Sequence, residues 1–267
     1  MKREPAVAHQ FYPGDPAILR QALDGLIPTT AAKQKALAVV APHAGYIYSG
    51  AVAGETFAAV EIPQNIVVLG PNHHGYGAPV AVMDKGAWEM PFGEVPINTV
   101  LARSILAQTE LVEADTLAHR FEHSLEVQVP FLQYFRPDMT LTPIVISHLS
   151  FKSCQIVGEA LAAAIKLYGK PVLIVASSDM THYESRQAAT AKDSLAMQQI
   201  KALAPEGLYN TVLGNKISMC GIMPTTIALI AALRLGATQA RLIRYTDSGE
   251  TSGDTNQVVG YAGFVIS

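Results

Sequence analysis

Histidines and an aspartate follow three short apolar runs of the sequence, at positions where their side chains could do chemistry. His43 follows the first run, His73 and His74 follow the second, and Asp179 and His182 follow the third. If the runs form parallel strands, their carboxyl ends meet at one edge of the sheet, where open α/β sheets bind ligands. Imidazole is the commonest metal ligand among protein side chains. The repeated context therefore predicts a metal site to which these loops contribute.

The dipeptide His73-His74 leaves open which of the two rings enters the site. Adjacent side chains that leave a strand point to opposite sides of the backbone, so only one of the two is expected to face the metal. The spacing does not choose between them. For any single histidine an alternative role is to cap a turn or to bond a local carbonyl group, but local roles do not require three loops to repeat the same context.

A third ligand is needed, and Cys220 is a candidate. It lies in the segment SMCGIMP, just before an apolar helical pattern that opens at Pro224. The positive end of a helix dipole favours the thiolate, which is the form of cysteine that binds metals. The alternative is that Cys220 is a small buried apolar residue. Cys154 opens an ordinary amphipathic helical pattern and is expected to pack in the core.

The segment RFEHSLEVQVP brings a carboxylate and an imidazole together ahead of a further helical pattern. Glu122 and His123 could do acid–base work if the segment borders the site. Ser124 is predicted to cap the helix that follows. The alternative is a solvated loop with no role in the chemistry.

Runs of strand length alternate with helical patterns along the chain, and these elements must position the side chains above. The predicted strands are residues 37–41, 66–69, 80–83, 141–146, 172–176, 241–245 and 258–266. The predicted helices are residues 15–26, 51–60, 99–108, 154–168, 190–203 and 224–235. This alternation predicts an α/β fold, in which a mostly parallel or mixed central sheet carries helices on both faces. We expect residues 1–267 to form a single domain, with the polar segment 246–256 as a loop between two strands.

Composition narrows the classes of function. Hydrophobic residues make up 49% of the chain and charged residues 15%, so a sizeable core can form. The net charge is -3 and basic residues do not cluster, which argues against nucleic-acid binding. The first residues lack the apolar run of a signal peptide, and no stretch reaches the roughly 20 apolar residues of a membrane helix. Two cysteines are too few for a disulfide framework, so we expect a soluble cytoplasmic protein.

Several sequence blocks follow one another from the N-terminus to the last predicted strand: EPAVAHQFYPGDP, APHAGYIYSG, LGPNHHG, EHSLEVQVPFL, SSDMTHY, MCGIMPT and SGD…VVGYAGF. Together, and in this order, they resemble the Memo family, which in prokaryotes is also called AmmeMemoRadiSam system protein B. The resemblance implies a fold similar to the class III extradiol dioxygenases of the LigB type. Those enzymes bind Fe(II) with two histidines and a carboxylate and leave positions open for substrate and dioxygen.

The resemblance also implies roles for individual residues. The metal ligands would be two histidines and a cysteine, carried over by motif as His43, His73 and Cys220. By the same comparison His123, Asp179 and His182 would line the pocket as catalytic acid–base or orienting groups. A thiolate in place of a carboxylate shifts the metal preference toward Cu(I), Zn or a thiolate-tolerant iron site.

These residues lead us to expect a mononuclear iron or copper redox enzyme that resembles a dioxygenase, with Fe(II) as the first choice of metal and Cu or Zn as alternatives. One alternative is a non-catalytic module that binds a peptide or small ligand, since animal members of the family resemble adaptors in phosphotyrosine signalling. Another is metal-assisted hydrolysis, in which His123 or Asp179 activates water. The name of the prokaryotic system suggests radical-SAM and AMMECR1-like proteins as partners.

Overall fold

A computed structural model describes residues 2–29 and 32–267 of the chain. The strands are β1 (Lys2–Arg3), β2 (Ala38–Ala41), β3 (Asn65–Pro71), β4 (Val80–Val82), β5 (Ala87–Trp88), β6 (Val95–Pro96), β7 (Glu113–Ala114), β8 (Thr140–Ile146), β9 (Val172–Ser177), β10 (His182–Glu184), β11 (Ala240–Asp247) and β12 (Val258–Ile266). The helices are α1 (Pro16–Leu26), α2 (Tyr46–Ala58), α3 (Thr99–Leu106), α4 (Val129–Phe135), α5 (Phe151–Tyr168), α6 (Arg186–Lys201), α7 (Pro205–Gly214), α8 (Ile222–Leu235) and α9 (Gly249–Ser252). A single 3₁₀ turn, Glu126–Gln128, precedes α4.

The main sheet is mixed, with a parallel centre. Its strands run in the order β10-β12-β2-β9-β3-β8-β4-β7, and β11 pairs with β12. β2, β9, β3 and β8 are parallel neighbours, whereas β12 and β4 join this centre in antiparallel fashion. A small separate sheet contains β1, β5 and β6. The prediction of an α/β fold with a mixed central sheet is confirmed.

Side chains of the central strands alternate between two cores, one on each face of the sheet. Val40, Val67 and Ile174 face a core that α3, α5, α6, α7 and α8 complete. Val39 and Val175 face the opposite core, which α1, α2 and α4 complete. The central strands are buried on both faces, as parallel strands covered by helices usually are. None of the described helices combines the length and the apolar character needed to cross a bilayer.

All seven predicted strands are confirmed to within two residues, but the helices differ more. α2 begins at Tyr46, five residues before its predicted start, immediately after the loop that carries His43. Its serine and glycines are poor helix formers, yet they allow close packing, since a Cβ at Gly54 would lie 2.4 Å from the Leu26 carbonyl oxygen. α7 was not predicted, and α9 lies within the segment 246–256 that was predicted as a loop.

His119, to which the sequence assigned no role, is fully buried beside Trp88. Its Nε2 lies 3.1 Å from the Ala81 carbonyl oxygen, which can only accept, so Nε2 carries the ring proton. Nδ1 has no hydrogen-bond partner within the described part of the chain. Burial, aided by the charge of Arg3, lowers the pKa of His119 to about 3. The folded protein therefore keeps this ring neutral under conditions where the unfolded chain would protonate it.

We expect His119 to make the metal-free protein sensitive to acid. The ordinary pKa of 6.5 applies to the unfolded chain, so the stabilisation is present above pH 6.5 and is lost as the pH falls toward the folded value. Between pH 7 and pH 5 this one ring should reduce the free energy of unfolding by about 2 kcal/mol. The His119→Gln variant keeps a donor for the Ala81 carbonyl and should show a shallower pH dependence in urea denaturation. Equal slopes for both proteins would contradict the assignment.

Candidate metal centre

The loops that follow β2, β9 and β3 lie side by side, because these strands are parallel neighbours in that order. His43 follows β2, Asp179 follows β9 and His73 follows β3. The Oδ1 of Asp179 accepts a hydrogen bond of 2.7 Å from the backbone N–H of His43, so two of the loops are joined directly. The predicted meeting of strand-end loops at one edge of the sheet is confirmed.

Three imidazoles converge at this edge: His43, His73 and His123 each place a possible ligand atom within 4.8 Å of the others. The His73 and His123 rings are stacked, with centroids 4.5 Å apart, and the His43 ring stands edge-on to both. His74 points elsewhere, since its Nε2 lies 2.9 Å from the Phe121 carbonyl oxygen. The structure thus places His73, and not its neighbour, in the cluster.

The hydrogen bonds of Ser177 fix the tautomer of His43. The Ser177 hydroxyl lies 2.6 Å from the Ser124 carbonyl oxygen, so its only proton is donated there. It must then accept from Gln128 Nε2 at 2.8 Å and from His43 Nδ1 at 2.9 Å. Nδ1 of His43 therefore carries the proton, and Nε2 presents a lone pair to the site. Burial, reinforced by the charges that His123 and His73 would carry, keeps the pKa of His43 far below its ordinary value.

Glu122 orients the other two imidazoles. Its Oε1 lies 2.8 Å from His73 Nδ1 and 3.5 Å from His123 Nδ1, and its Oε2 accepts from the backbone N–H of His73 at 2.7 Å. Burial alone would raise the pKa of Glu122, but bonds from the His73 ring and from the backbone N–H of Ser124 outweigh burial and lower it. An ionised carboxylate can only accept, so His73 donates from Nδ1, and in the neutral ring Nε2 is the nitrogen left to bind a metal. Carboxylates hold metal-binding histidines in this way in many proteins.

Cys220 lies next to His43 and outside the group of three imidazoles. Its Sγ is 3.3 Å from His43 Nε2, and the backbone N–H of Asp179 lies 3.2 Å from the same sulfur. The next residue, Gly221, has no room for a side chain, since a Cβ there would lie 2.3 Å from the Ser177 carbonyl oxygen. Burial, and then the charge of Asp179, raises the pKa of the Cys220 thiol. The expected lowering by the helix dipole was wrong for the metal-free protein, because desolvation of the sulfur is the larger effect.

Asp179 contacts Cys220 from the loop after β9, and His182 is the first residue of β10 and bonds Ser218. Burial raises the pKa of Asp179 to about 6, although the backbone N–H groups of His43 and Ala44 oppose that rise. His182 Nδ1 lies 3.0 Å from the Ser218 carbonyl oxygen, so Nδ1 donates, and Nε2 is the acceptor when the ring is neutral. The roles of these two residues and of His123 in acid–base chemistry stay predictions.

Several contacts at the site could not be expected from the sequence. The sequence associated Glu122 with His123 because the two residues are adjacent. In the structure the carboxylate of Glu122 is bonded instead to the ring of His73, 49 residues away. Gln128 reaches the backbone carbonyl of Pro42 as well as Ser177. Ser124 was predicted to cap a helix, but its hydroxyl donates to the Pro71 carbonyl oxygen, at the end of β3. That prediction was wrong because the 3₁₀ turn intervenes, and the hydroxyl bonds the neighbouring strand instead.

The donor set fits a transition-metal ion. Histidine nitrogens and cysteine sulfurs bind zinc at roughly 2.0 and 2.3 Å, so an N and an S ligand on one ion stand roughly 3.1 to 3.5 Å apart. The separation of 3.3 Å between His43 Nε2 and Cys220 Sγ lies in that range. The imidazole atoms, within 4.8 Å of one another, need a small inward movement to share the ion. His43, His73 and either Cys220 or His123 would complete a three-ligand site.

Comparison with known proteins places the chain among close relatives. The family profile described as "Memo-like protein" matches residues 3–265. The chain is 42% identical over 268 residues to a MEMO1 family protein of Aquifex aeolicus, covering 99% of this chain and 98% of the relative. It is 38% identical over 274 residues to a MEMO1 family protein of Methanothermobacter thermautotrophicus, covering 98% and 99%. Among solved structures, an uncharacterized protein of Escherichia coli K12 shares the fold, with a TM-score of 0.58, 16% identity and coverage of 85% of this chain and 98% of that one.

Proposed function

The chain belongs to the Memo-like family, and from the cluster that its strand-end loops assemble we propose that it is a metalloenzyme with a mononuclear iron or copper centre. His43 and His73 would be two of the ligands, with Cys220 as the third and His123 beside them. The enzyme would carry out redox chemistry on a small organic molecule or a peptide. Fe(II) is the metal that we expect first, because the family resembles iron dioxygenases in fold.

The observation that carries this proposal is that the protein fixes the imidazole tautomers at the cluster. Ser177 accepts a hydrogen bond from Nδ1 of His43, and Glu122 accepts one from Nδ1 of His73. The remaining nitrogens then point lone pairs at a shared space. A histidine that only caps a turn needs no such second partner, whereas a metal-binding histidine usually has one. Burial also lowers the pKa of His123 to about 4, so that ring is neutral at physiological pH.

The site is deep on one side and open on the other. His43 is only 2% exposed and lies with Cys220 on the deep side. The side chains of His73 and His123 are 31% and 20% exposed, so a substrate would approach past these rings. A bound iron or copper ion would supply reversible electron transfer and an exchangeable coordination position. His182 Nε2 would accept a proton from the substrate, while Asp179 would hold the His43 loop in place through the backbone.

Metal analysis followed by anaerobic Fe(II) titration tests the proposal. We expect one ion per chain in the wild type and at least about 100-fold weaker binding in His43→Ala, since outer partners of a ligand alone are worth 10- to 100-fold. His148→Ala is a matched control, because His148 also follows a central parallel strand, β8, but is exposed. It should bind as the wild type does. Oxygen uptake by the loaded protein, measured with reductant, then tests for redox turnover.

Other outcomes would select other functions. Absence of stoichiometric metal in both the purified and the titrated wild type would overturn the proposal and favour a binding module. Zinc retained through purification, without oxygen uptake, would instead favour metal-assisted hydrolysis.

A further inference from the structure

The N-terminal segment, residues 3–12, is tied to the site through the buried carboxylate of Glu126. This side chain has no exposed surface. Its Oε1 accepts from the backbone N–H of Val7 at 3.0 Å and from the Tyr12 hydroxyl at 2.6 Å. Its Oε2 accepts from the backbone N–H of Ala6 and from Arg3 Nη1, both at 2.7 Å. One carboxylate thus bonds four residues of the segment, all more than 110 residues away along the chain.

The guanidinium of Arg3 fixes the backbone on the amino-terminal side of His123. Its Nε donates to the His119 carbonyl oxygen at 2.6 Å, and its Nη2 donates to the Glu122 carbonyl oxygen at 2.8 Å. The same group stacks on Trp88, 4.1 Å from the ring centroid. Arg3 therefore holds the very residue whose carboxylate orients His73 and His123.

The segment also packs directly on the cluster. The Phe11 ring lies 4.8 Å from the His123 ring, centroid to centroid, while His73 is stacked against the same histidine. The Phe11 carbonyl oxygen accepts from the backbone N–H of Tyr46 at 2.8 Å, at the first residue of α2. His123 thus contacts both a ring of the segment and a ring of the cluster.

We infer that residues 3–12 position the Glu122 and His123 side of the metal site, with Arg3 and Tyr12 as positioning residues that act through Glu126 and the backbone of Glu122. A buried ion pair seldom adds net stability over apolar residues of the same size. A guanidinium that bonds two carbonyl groups and a carboxylate at once does fix geometry. The inference rests on the proposed function, since the geometry it fixes is that of the ligands.

Cobalt(II) binding to the full-length protein tests the inference, because the visible spectrum of the ion reports the ligand geometry. The variants are Arg3→Lys and Tyr12→Phe. Arg3→Lys keeps the charge but loses the planar set of N–H donors, and Tyr12→Phe keeps the ring but loses the hydroxyl that bonds Glu126. We expect about tenfold or more loss of Co(II) affinity in Arg3→Lys and about threefold in Tyr12→Phe, with altered spectra in both. Lys2→Met is the control, since among the described residues the neighbouring Lys2 pairs with two partly exposed carboxylates, Glu89 and Glu94, and not with the site. It should match the wild type.

The ring nitrogen NMR signals of His73 and His123 in the metal-free protein give a second readout. We expect them to shift in both variants and not in the control. If Arg3→Lys fails to fold, Tyr12→Phe decides the question by the same two measurements. Folded variants with wild-type affinity, spectrum and ring signals would overturn the inference. A wild type that binds no cobalt would overturn the proposed function instead, and the NMR signals would still decide whether the segment positions the rings.

Discussion

His73→Ala is expected to bind Fe(II) at least about 100-fold more weakly than the wild type, whereas His74→Ala should stay within about threefold. The two residues are adjacent in sequence and of the same type. Comparing the two variants therefore distinguishes the loss of a metal ligand from the loss of a nearby histidine. His73 is stacked on His123, and its Nδ1 is bonded to Glu122. His74 is stacked over Tyr76 and reaches the Phe121 carbonyl oxygen, facing away from the cluster.

Anaerobic titration of both variants, with urea denaturation of the metal-free proteins, would measure this difference. His74 is exposed, so His74→Ala should unfold within about 1 kcal/mol of the wild type. His73→Ala also removes the ring donor of the buried Glu122 and should cost about 1–3 kcal/mol, and the denaturation curves show whether both variants remain folded without urea. Loss of affinity in His73→Ala can then be assigned to the ligand and not to the fold. If His74→Ala lost more affinity than His73→Ala, the wrong ring of the pair would have been placed at the metal.

The convergence of His43, His73 and Asp179 could be predicted from the sequence because it depends on a general property of parallel sheets. Each residue follows a short apolar run, and parallel strands bring their carboxyl ends to one edge. Strand periodicity and the positions of prolines and glycines are local signals, so the strands were placed to within two residues. The sequence could not show whether the ring of His73 or that of His74 enters the site. That choice depends on a bond between His73 and the distant Glu122.

The parts that escaped prediction depend on contacts between distant segments and on burial. The resemblance put His123 at the pocket, but spacing did not predict its place beside His43 and His73, because it precedes a 3₁₀ turn and does not directly follow a strand. Gln128 and Ser177 orient His43 from different parts of the chain. The pKa of Cys220 was expected to fall because the helix dipole is visible in the sequence, while the depth of the sulfur is not. A local rule gives the wrong sign where desolvation is stronger.

Burial shifts the pKa of several groups at the site toward their uncharged forms. It keeps the pKa of His43 and of His123 low, so both imidazoles are neutral and available as ligands. It also raises the pKa of the Cys220 thiol, so the sulfur carries a proton until a cation replaces it. Ionised Glu122, which is hydrogen-bonded to Nδ1 of His73, supplies a negative charge that would balance the charge of a bound cation. The metal-free site therefore carries the negative charge of Glu122 beside neutral imidazoles and a protonated thiol. Binding of a cation to the sulfur should release the thiol proton.

Replacing Cys220 by serine is expected to weaken Fe(II) binding at least about 100-fold and to abolish the release of roughly one proton per ion. Sγ lies where an ion bound to His43 Nε2 would find its next ligand, 3.3 Å from that nitrogen. Calorimetric titration in two buffers of different ionisation enthalpy measures affinity and proton release together. Serine is nearly isosteric with cysteine, so the metal-free variant should keep its fold.

The same experiment distinguishes the two candidates for the third ligand. If Cys220 binds the ion, His123→Ala should lose less affinity than Cys220→Ser and should still release the proton. If His123 binds instead, the ranking reverses and Cys220→Ser releases the same proton count as the wild type. Cys154→Ala is the control for loss of a buried thiol, because Cys154 lies in the core against Met223 and not at this edge. A neutral His123 has no proton to release at physiological pH, since its pKa is about 4. The proton count therefore identifies the sulfur as a ligand independently of the affinity.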